Sequence, residues 1–535
     1  MGKGKFFTLF VVEGIILLAF LLRVIPNYDS VFPGNVIQFT TVDAYYHMYV
    51  VDGLTQNFPH LSPYLPYLGY PGTQSSPGVY FFDWLLAGIT WLIGLGSPVD
   101  GLADRVGAYY PAILGALTVI PVYFIGKTLN GRFAGVAAAG LIAIMPGEFL
   151  GRSILGSTDQ HVMETLLTTT GLLFLLLAVK HRKLCYGLLS GLFFGLYYLT
   201  WAGALLFGLI ILIYMVTLFA KTKLIKGLIL TSAIGLAITF VPDILRSGFG
   251  IFYPSGAGLT TAEMQPILSP GGNFTLAVIV ANYGFAFFLS LVALLLMLIL
   301  TLKRQQDYSL VMVWSLVILA AMLGQRRFAY YFAVNVAVLT GFLIGWLAQQ
   351  KKSHLVLVLL MLSILPFGNT SYKPMTIPPD WQESLIWLKE NTPDPYGNPG
   401  FYYQLVNEPS VPAYAVLSWW DYGYWITRVA HRVPTVNPSQ DAILQKRVAS
   451  ILTDNNDVEI LQQLEDLKVK YIVIDDQMVS GKFWAITLWA DRTIKLDSTE
   501  YNQTLMVRLF NGQVVEGIRL VYNAKTVRIF EVVDK

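Results

Sequence analysis

Long apolar segments recur along the chain as far as about residue 367, and they constrain its fold more than any other feature. They lie near 6–25, 105–126, 133–147, 162–180, 184–200, 202–220, 226–246, 274–301, 308–324, 328–348 and 353–367. Hydrophobic residues make up 55% of the 535 positions and charged residues only 13%, which excludes a soluble protein of this length. We therefore interpret these eleven segments as the helices of a polytopic α-helical membrane domain.

Basic residues between the segments predict which side of the membrane each loop faces. They cluster at Lys3 and Lys5, Lys127 and Arg132, Lys180, Arg182 and Lys183, Lys221, Lys223 and Lys226, Lys303 and Arg304, and Lys351 and Lys352. The positive-inside rule assigns these clusters and the N-terminus to the cytoplasm. The loops left outside are 26–101, 148–161, 247–273 and everything after about 368. This alternation requires residues 79–96 to lie in the outer interface rather than to cross, and Asp83 within them is expected to take no part in a site.

Residues beyond the last apolar segment have the mixed composition of a soluble domain. Helical patterns lie at 381–391 and 456–466. Strand-like runs follow at 471–474, 505–509, 518–521 and 527–532. We therefore predict a multi-span domain over 1–372 and an extracytoplasmic α/β domain over 373–535. Cys185 is the single cysteine, so packing and not disulfides must hold that domain together. The balance of 36 basic and 33 acidic residues gives no indication of a nucleic-acid partner.

The motif Trp419-Trp420-Asp421-Tyr422-Gly423 is the most specific in the chain. It places two indole N–H donors beside a carboxylate acceptor, a combination suited to binding a small polar side chain. An aromatic belt at the membrane surface is the alternative, but a belt requires neither Asp421 nor Gly423.

The surrounding sequence SWWDYGYWI resembles the signature of the catalytic subunit of oligosaccharyltransferase, the enzyme that N-glycosylates asparagine in Asn-x-Ser/Thr sequons. The resemblance implies a GT-C type membrane glycosyltransferase with up to about thirteen spans, of the single-subunit archaeal type in the cell membrane. It implies a lipid-linked oligosaccharide donor, carried on a polyprenyl (dolichyl) phosphate or diphosphate among the membrane lipids. The acceptor is then the Asn amide of a sequon-containing polypeptide, and transfer proceeds with inversion.

The resemblance also assigns the acceptor pocket. Trp419, Trp420 and Asp421 are expected to bind the sequon hydroxyl. The segment YIVIDDQMVSGKFWAI resembles the helix that completes this pocket, with Met478, Lys482 and Ile486 near the threonine methyl group. For each of those three residues, an amphipathic helix packing on its strand is an equally good explanation.

A second set of candidate residues lies on the predicted outer loops. Asp43 alone is explained as well by a solvated or helix-capping role, and Ser157, Thr158 or Asp159 can cap the helix that follows them. The pair Asp159 and His161 nevertheless stands at the mouth of a predicted span, where polar groups are costly unless they are used.

Glu263, in Thr260-Thr261-Ala262-Glu263, resembles the glutamate of a short motif on an external loop of the family. The resemblance implies that one divalent cation is bound by Asp43, Asp159, His161 and Glu263. Mn²⁺ or Mg²⁺ suits these mainly oxygen ligands better than Zn²⁺. Asp43 and Glu263 are also expected to be catalytic, holding the acceptor amide.

Arg152 and Arg327 lie on the predicted outer side, against the positive-inside trend. Contact with lipid headgroups is one explanation. A lipid-linked pyrophosphate is the other, because guanidinium groups bind phosphate oxygens bidentately. The resemblance favours Arg327 for this donor contact, with Arg152 as a second.

Two other functions are compatible with parts of the sequence. Another membrane glycosyltransferase that uses a lipid-phosphate sugar would share the acidic outer loops but not the Trp419–Gly423 pocket. A transporter would have paired repeats and ionisable residues within its spans.

Overall fold

The computed structural model describes residues 3–34, 36–72, 74–75, 81–201, 203, 205–221, 260–269, 274–303, 306–364, 375–439 and 441–533. The chain forms two compact units. The first, here the helical unit, contains 1–29, 79–81 and 109–373. The second, here the α/β unit, contains 30–78, 82–108 and 374–535, so it includes most of the first predicted outer loop. The predicted domain boundary at 372/373 lies outside the described residues.

Apolar helices make up the helical unit. They are Lys3–Val24, Leu102–Leu117 (which continues from the α/β unit), Val119–Ile144, Glu148–Gly151, His161–His181, Leu184–Tyr198, Leu205–Lys221, Ala277–Tyr283, Ala286–Leu302, Ser309–Gly324, Ala329–Gln349 and Ser353–Ile364. Among the described residues, four stretches are long and apolar enough to cross a membrane: Phe7–Val31, Leu102–Ile144, His161–His181 and Arg326–Gln349. A bent pair and several shorter apolar helices accompany them. The polytopic α-helical class is thereby confirmed.

Two breaks between helices of the helical unit occur at glycines. The helix Val119–Ile144 breaks at Asn130 and Gly131, and Gly131 has a φ of 87°. This break falls where a turn was predicted between 105–126 and 133–147. The apolar segment predicted over 274–301 is not one straight helix, because Ala277–Tyr283 and Ala286–Leu302 meet at 83°. Gly284 lies between them with a φ of 58°, a conformation that glycine adopts without steric cost. The span predicted over 226–246 lies outside the described residues.

A buried arginine anchors the segment that leads into the candidate site. Arg23, at the end of the first helix, is 0% exposed. Its Nε donates to Ser153 Oγ at 2.9 Å, and its Nη1 donates to the carbonyls of Ala19 at 2.9 Å and Ala143 at 3.2 Å. Gly115 allows this approach, because a Cβ there would lie 2.5 Å from Arg23 Nε. These contacts fix the backbone next to Arg152.

The α/β unit is built on a four-stranded sheet. Its helices are Val42–Asn57, Phe81–Ile93, Pro379–Asn391, Gly423–Arg428, Ala442–Thr453, Asp457–Asp466, Phe483–Trp489, Thr499–Gln503 and Leu505–Phe510, and the short helix Tyr28–Val31 joins it to the helical unit. In spatial order the strands are Ala415–Leu417, Val469–Asp475, Val527–Val532 and Ile518–Asn523. The first pair is parallel and the others are antiparallel.

Most of the predicted elements of this unit are confirmed, and one is wrong. The run 505–509 is the helix Leu505–Phe510 rather than a strand. Leu505, Met506, Val507 and Leu509 are all buried. A short run of consecutive apolar residues occurs both in buried strands and in buried helices, so such a run does not distinguish a strand from a helix.

The segment predicted to lie in the membrane interface forms the helix Phe81–Ile93. Trp84, Leu92 and Ile93 are exposed, as an interfacial helix requires. Asp83 differs from expectation, because it is 2% exposed and lies 2.7 Å from Nδ1 of His47. This contact supports the helix that carries His47, so Asp83 has a structural role.

Candidate active site

Asp159 and His161 lie together at the start of the helix His161–His181. Asp159 Oδ2 is 3.5 Å from His161 Nε2, and Asp159 is only 2% exposed. The residue at the N-cap position is Gln160, whose side chain makes no capping hydrogen bond. The pair is therefore a buried polar group at the end of an apolar helix.

Arg152 joins this pair to Glu263. Its Nη2 donates to Glu263 Oε2 at 2.6 Å, and its guanidinium lies 3.6 Å from Asp159 and 3.4 Å from Glu148. Burial alone would lower the pKa of Arg152, but Glu263, Glu148 and Asp159 together raise it well above the usual value. Burial likewise disfavours the ionised form of Glu263, yet Arg152 lowers the pKa of that carboxyl. Both Arg152 and Glu263 are charged. Arg152 therefore contacts two other predicted site residues, Asp159 and Glu263.

The two arginines before the helix Ala329–Gln349 have different surroundings. Arg326 Nε donates to Glu148 Oε1 at 2.8 Å. Arg327 Nε is buried and has no hydrogen-bond partner among the residues that the structure describes. Its guanidinium carbon lies 5.5 Å from the centre of the Phe328 ring. Of the two, Arg327 has the donor to spare, as a phosphate ligand requires.

Asp43 lies in the first turn of the helix Val42–Asn57, in the α/β unit. In that helix His47, one turn after Asp43, is held by Asp83. Within the described ranges, no group of three or more His, Cys, Asp or Glu side chains is arranged to hold a metal ion. The donors of Asp159 and His161 nevertheless face each other, and oxygen with imidazole nitrogen suits a hard divalent cation. Glu263 is bound instead to Arg152.

The Trp419–Gly423 motif follows the strand Ala415–Leu417 and leads into the helix Gly423–Arg428. Asp475, at the end of the neighbouring strand, fixes the motif by accepting hydrogen bonds from Tyr422 OH at 2.6 Å and from Trp381 Nε1 at 2.8 Å. Burial raises the pKa of Asp475 against these donors. Gly423 is required by close packing, since a Cβ there would lie 2.6 Å from Asn437 Cα.

Beside Tyr422, the motif presents a carboxylate and an indole. Asp421 is hydrogen-bonded to Lys482, whose ammonium group lies 4.4 Å from the centre of the Tyr422 ring. Trp420 Nε1 is buried without a hydrogen-bond partner in the described part of the chain, and Trp419 is 1% exposed. Trp420 and Asp421 are consecutive in the chain, and an N–H donor together with a carboxylate acceptor is the pair that a hydroxyl, which both accepts and donates, can satisfy.

The second segment of the predicted pocket is a turn and a short helix rather than one helix. Met478 lies in a turn, and its backbone N–H donates to Asp475 Oδ1 at 2.9 Å. Lys482 precedes the helix Phe483–Trp489, and Ile486 lies within it. Met478 Sδ is 3.8 Å from Ser418 Oγ, next to the motif, and Met478 and Ile486 are both 0% exposed. Lys482 thus contacts the motif at Asp421, while Met478 and Ile486 are buried in the core.

Sequence reasoning missed two contributors to the polar cluster. Glu164 lies 2.9 Å from His161 Nδ1, and Tyr330 OH donates to Glu164 at 2.9 Å. The available signal was an acidic residue three positions after His161 inside an apolar helix, a spacing that places both side chains on one face.

The apolar helices, the buried charges at the start of one of them and the α/β unit agree with the GT-C type membrane glycosyltransferase that the sequence resemblance implies. Residues 15–374 match the family model described as oligosaccharyl transferase STT3, N-terminal, and residues 378–479 match the AglB core domain. The chain belongs to this oligosaccharyltransferase family, and it is a glycosyltransferase. Membership excludes the transporter considered from the sequence.

Curated relatives and solved structures agree with this family. Dolichyl-phosphooligosaccharide-protein glycotransferase 3 of Archaeoglobus fulgidus is 28% identical, covering 93% of this chain and 72% of the relative. Dolichyl-monophosphooligosaccharide–protein glycotransferase AglB of Haloferax volcanii is 24% identical, with 92% and 67% covered. The apo A. fulgidus oligosaccharyltransferase superposes with a TM-score of 0.82 at 26% identity, with 97% and 80% of the two chains covered. A complex of that enzyme with Zn and sulfate gives 0.77 at 26% identity, with 96% and 79% covered.

Proposed function

We propose that this protein transfers an oligosaccharide from a polyprenyl (dolichyl) phosphate or diphosphate carrier to the Asn side chain of Asn-x-Ser/Thr sequons. The observation that carries the proposal is the buried, unpartnered Trp420 Nε1 beside the Asp421–Lys482 pair. A sequon hydroxyl accepts from that indole and donates to the carboxylate. Among the solved A. fulgidus structures, one holds a dolichol-phosphate with an inhibitory peptide, and another has a tethered acceptor peptide with the NVT sequon.

The pocket selects against acceptors that lack the hydroxyl. Without it, Trp420 Nε1 stays buried and unpaired when the peptide excludes water, and an unpaired buried donor costs about 1–3 kcal/mol. Lys482 holds the side chain of Asp421 by a hydrogen bond while the peptide is absent. Met478, Lys482 and Ile486 are assigned to the side of the pocket near the methyl group of threonine, with Met478 packed against Ser418 behind the motif.

The donor phosphates are assigned to Arg327 and Arg152. The Nε of each arginine lacks a hydrogen-bond partner among the described residues, but the guanidinium of Arg152 is in addition surrounded by carboxylates. A phosphate that reaches Arg152 competes with Glu263 for the same guanidinium. Binding of the donor in this way releases the Glu263 carboxylate for its catalytic role.

The chemical step requires an activated amide nitrogen, whose lone pair is ordinarily delocalised into the carbonyl. Asp43 and Glu263 accept hydrogen bonds from the two amide N–H groups and hold the side chain out of conjugation. Nitrogen then attacks the anomeric carbon, the bond from that carbon to the phosphate oxygen breaks, and the nitrogen loses one proton. A single displacement of this kind inverts the anomeric centre.

The residues that would hold Mn²⁺ or Mg²⁺ are Asp43, Asp159, His161 and Glu263. A bound divalent cation supplies Lewis-acid stabilisation of charge on the departing phosphate. Asp159 and His161 support this assignment through their facing donor atoms.

We assign the enzyme to the cell membrane, with the N-terminus cytoplasmic and both the outer loops and the α/β unit extracytoplasmic. In this setting it works as a single subunit on a donor that is itself a membrane lipid, with a polypeptide as acceptor and without nucleic acid. The test is to incubate purified protein with host lipid extract and a fluorescent Asn-x-Thr peptide, and to identify the product by mass spectrometry. Glycan on the Asn is expected. Equal modification of an Asn-x-Val peptide would contradict the pocket assignment, and no modification of either peptide would contradict the function.

A further inference from the structure

Glu164 is a buried carboxylate that the proposed chemistry does not use. It lies in the first turn of the helix His161–His181 and is 0% exposed. A carboxylate taken so far from water is costly unless hydrogen bonds compensate it. Its two oxygens have different partners. Oε1 lies 2.9 Å from His161 Nδ1, and Oε2 accepts from Tyr330 OH at 2.9 Å and from Tyr331 OH.

The tyrosines orient the carboxylate. Tyr330 and Tyr331 are consecutive residues of the helix Ala329–Gln349, and both hydroxyls donate to the same oxygen. Tyr331 OH is also 2.9 Å from Tyr197 OH, so a third helix supports the arrangement. Because Oε2 is occupied by these donors, Oε1 is left to accept from His161.

This arrangement determines which nitrogen of His161 carries the proton. Tyr330 OH lies 3.1 Å from Nδ1, but it gives its proton to Glu164 Oε2. A carboxylate oxygen is an acceptor, so Nδ1 is the donor to Oε1. In neutral imidazole the other nitrogen then has a lone pair. That atom, Nε2, faces Asp159 Oδ2 at 3.5 Å. Two acceptors at this separation repel each other unless a cation or a proton lies near both.

We propose that Glu164, oriented by Tyr330 and Tyr331, is a positioning residue that fixes His161 with Nε2 available to a divalent cation. The inference rests on the cation site of the proposed function. Carboxylates that hold a ligating imidazole by its other nitrogen occur widely in metal sites, where they fix the tautomer and increase the basicity of the ligand.

Tyr330 extends this role to the arginine of the site. Its ring centre is 5.0 Å from that of His161 and 5.3 Å from the guanidinium carbon of Arg152. The same side chain thus supports the histidine assigned to the cation and the arginine assigned to the donor phosphate.

The test is a binding titration of Mn²⁺ to the full-length protein in detergent, followed by electron paramagnetic resonance of the free ion. Glu164→Gln should weaken Mn²⁺ binding by about 10- to 100-fold, the usual range for such partners. The Mn²⁺ concentration that gives half-maximal glycosylation should rise in parallel. The kcat at saturating Mn²⁺ and the KM for the peptide should change little, a split that general damage to the fold would not give.

A second variant and a control keep the outcome unambiguous. Tyr331→Phe removes one donor but retains the carboxylate, and it should weaken Mn²⁺ binding by a smaller factor than Glu164→Gln. Thr170→Val lies on the same helix, and its hydroxyl bonds the carbonyl of Leu166, so it should leave Mn²⁺ affinity unchanged. Thermal unfolding of every variant in chelator measures stability separately from metal binding.

The results distinguish the inference from the function on which it rests. If wild type fails to bind Mn²⁺, the proposed cation site is wrong and Glu164 has no such role. If wild type binds and Glu164→Gln binds equally well, the positioning inference is overturned while the cation site stands. Should Glu164→Gln fail to fold, an unchanged affinity in Tyr331→Phe overturns the inference by itself.

Discussion

Asp421 and its neighbours carry the selection of the acceptor in the proposed function. The carboxylate is paired with Lys482, and the buried indole N–H of Trp420 lacks a partner among the described residues. A peptide hydroxyl completes this set with two hydrogen bonds. Replacement of a single residue therefore tests the pocket directly.

Asp421→Asn is predicted to reduce kcat/KM for an Asn-x-Thr peptide by roughly 10- to 100-fold, the equivalent of one charge-assisted hydrogen bond of about 1.5–3 kcal/mol. The same replacement should reduce kcat/KM for an Asn-x-Val peptide far less, because that peptide has no hydroxyl to bind Asp421. A double-mutant cycle over the two enzymes and the two peptides measures the coupling. Losses that simply add would reduce Asp421 to a structural support of the motif.

Arg327→Ala is predicted to raise the apparent KM for the lipid-linked donor or to lower kcat, while peptide affinity stays nearly constant. The physical reason is the unpartnered Nε of Arg327, which we assign to a phosphate oxygen. Steady-state kinetics with each substrate varied in turn gives the measurement. Arg326→Ala is the matched comparison: because Arg326 is already bound to Glu148, it should affect the donor KM less. Equal effects on donor and peptide would remove Arg327 from the donor site.

Chelation is predicted to abolish glycosylation, and Mn²⁺ or Mg²⁺ should restore it. Asp43→Asn and Glu263→Gln should each lose most of the turnover, because each removes a negative ligand. The control is Asp100→Asn, an exposed carboxylate of the same predicted outer loop as Asp43. Asp83 is unsuitable as a control, since it is buried against His47. Full activity in EDTA would refute the cation assignment.

At this scale the sequence was informative about types of residue and uninformative about their partners. Asp159 and His161 stood out because polar groups at the end of an apolar helix are unusual. The Arg152–Glu263 pair joins residues from distant loops, which no local pattern reveals. Glu164 was missed because its role depends on tyrosines of another helix.

At the scale of elements, Arg428 connects the helix that follows the Trp419–Gly423 motif to two other helices. Its Nη2 donates to Asp104 Oδ1 at 2.5 Å and to Asp52 Oδ1 at 3.2 Å. Burial raises the pKa of Asp52 to about 6 and outweighs the opposing effect of Arg428, with Asp104 adding to the rise. Arg428, Asp104 and Asp52, which lie on three different helices, thus form one cluster in which Asp52 is the titratable group.

The pKa of Asp52 predicts a pH-dependent stability. Because the folded protein binds this proton more tightly than the unfolded chain does, the contribution of Asp52 is largest below pH about 4 and is lost as pH rises through about 6. Acidification from pH 7 to pH 5 should therefore raise the Tm of wild type relative to Asp52→Asn, whose side chain does not titrate. Parallel Tm profiles for the two proteins over this range would contradict the assignment.

Elements were predictable where the pattern was long and periodic. The apolar helices His161–His181 and Ala329–Gln349 agree with predicted spans within a few residues. The bend at Gly284 was not predicted, because a single glycine in a long apolar run carries no signature of its φ. The turn at Met478 is closed by a local hydrogen bond to Asp475, whose side chain is also bound by Tyr422 and Trp381 from distant parts of the sequence, and no local pattern reveals those two partners.

At the scale of the whole molecule, the chain contributes three separate stretches to the α/β unit. Residues of the early stretch contact the C-terminal one directly. Thr427 Oγ1 donates to the carbonyl of Tyr67 at 2.8 Å, and Asn437 Nδ2 donates to that of Leu68 at 2.5 Å. The α/β unit is therefore discontinuous in sequence. A single domain boundary placed from composition assigns its early and late stretches to different domains.

A fragment of residues 375–535 is predicted to lose order locally rather than globally. Amide hydrogen exchange at 423–439 should be faster in the fragment than in the full chain, since partners such as Tyr67 and Leu68 are missing. Protection in the strand Val469–Asp475 should be retained, because its sheet partners all lie within the fragment. The measurement is exchange followed by mass spectrometry on both proteins. Identical rates at 423–439 would show that the early stretch adds no stability.

The pairing of Arg152 with Glu263 has a kinetic consequence for the whole enzyme. While that pair persists, a carboxylate assigned to catalysis is masked, so a peptide that arrives first meets an incomplete site. In the proposed mechanism, productive turnover then follows a compulsory order, with the carrier lipid bound before the polypeptide. A protein segment passing the site is surveyed for sequons only when a glycan is ready to be attached. Scarcity of the lipid carrier would accordingly leave sequons unmodified without trapping them on the enzyme.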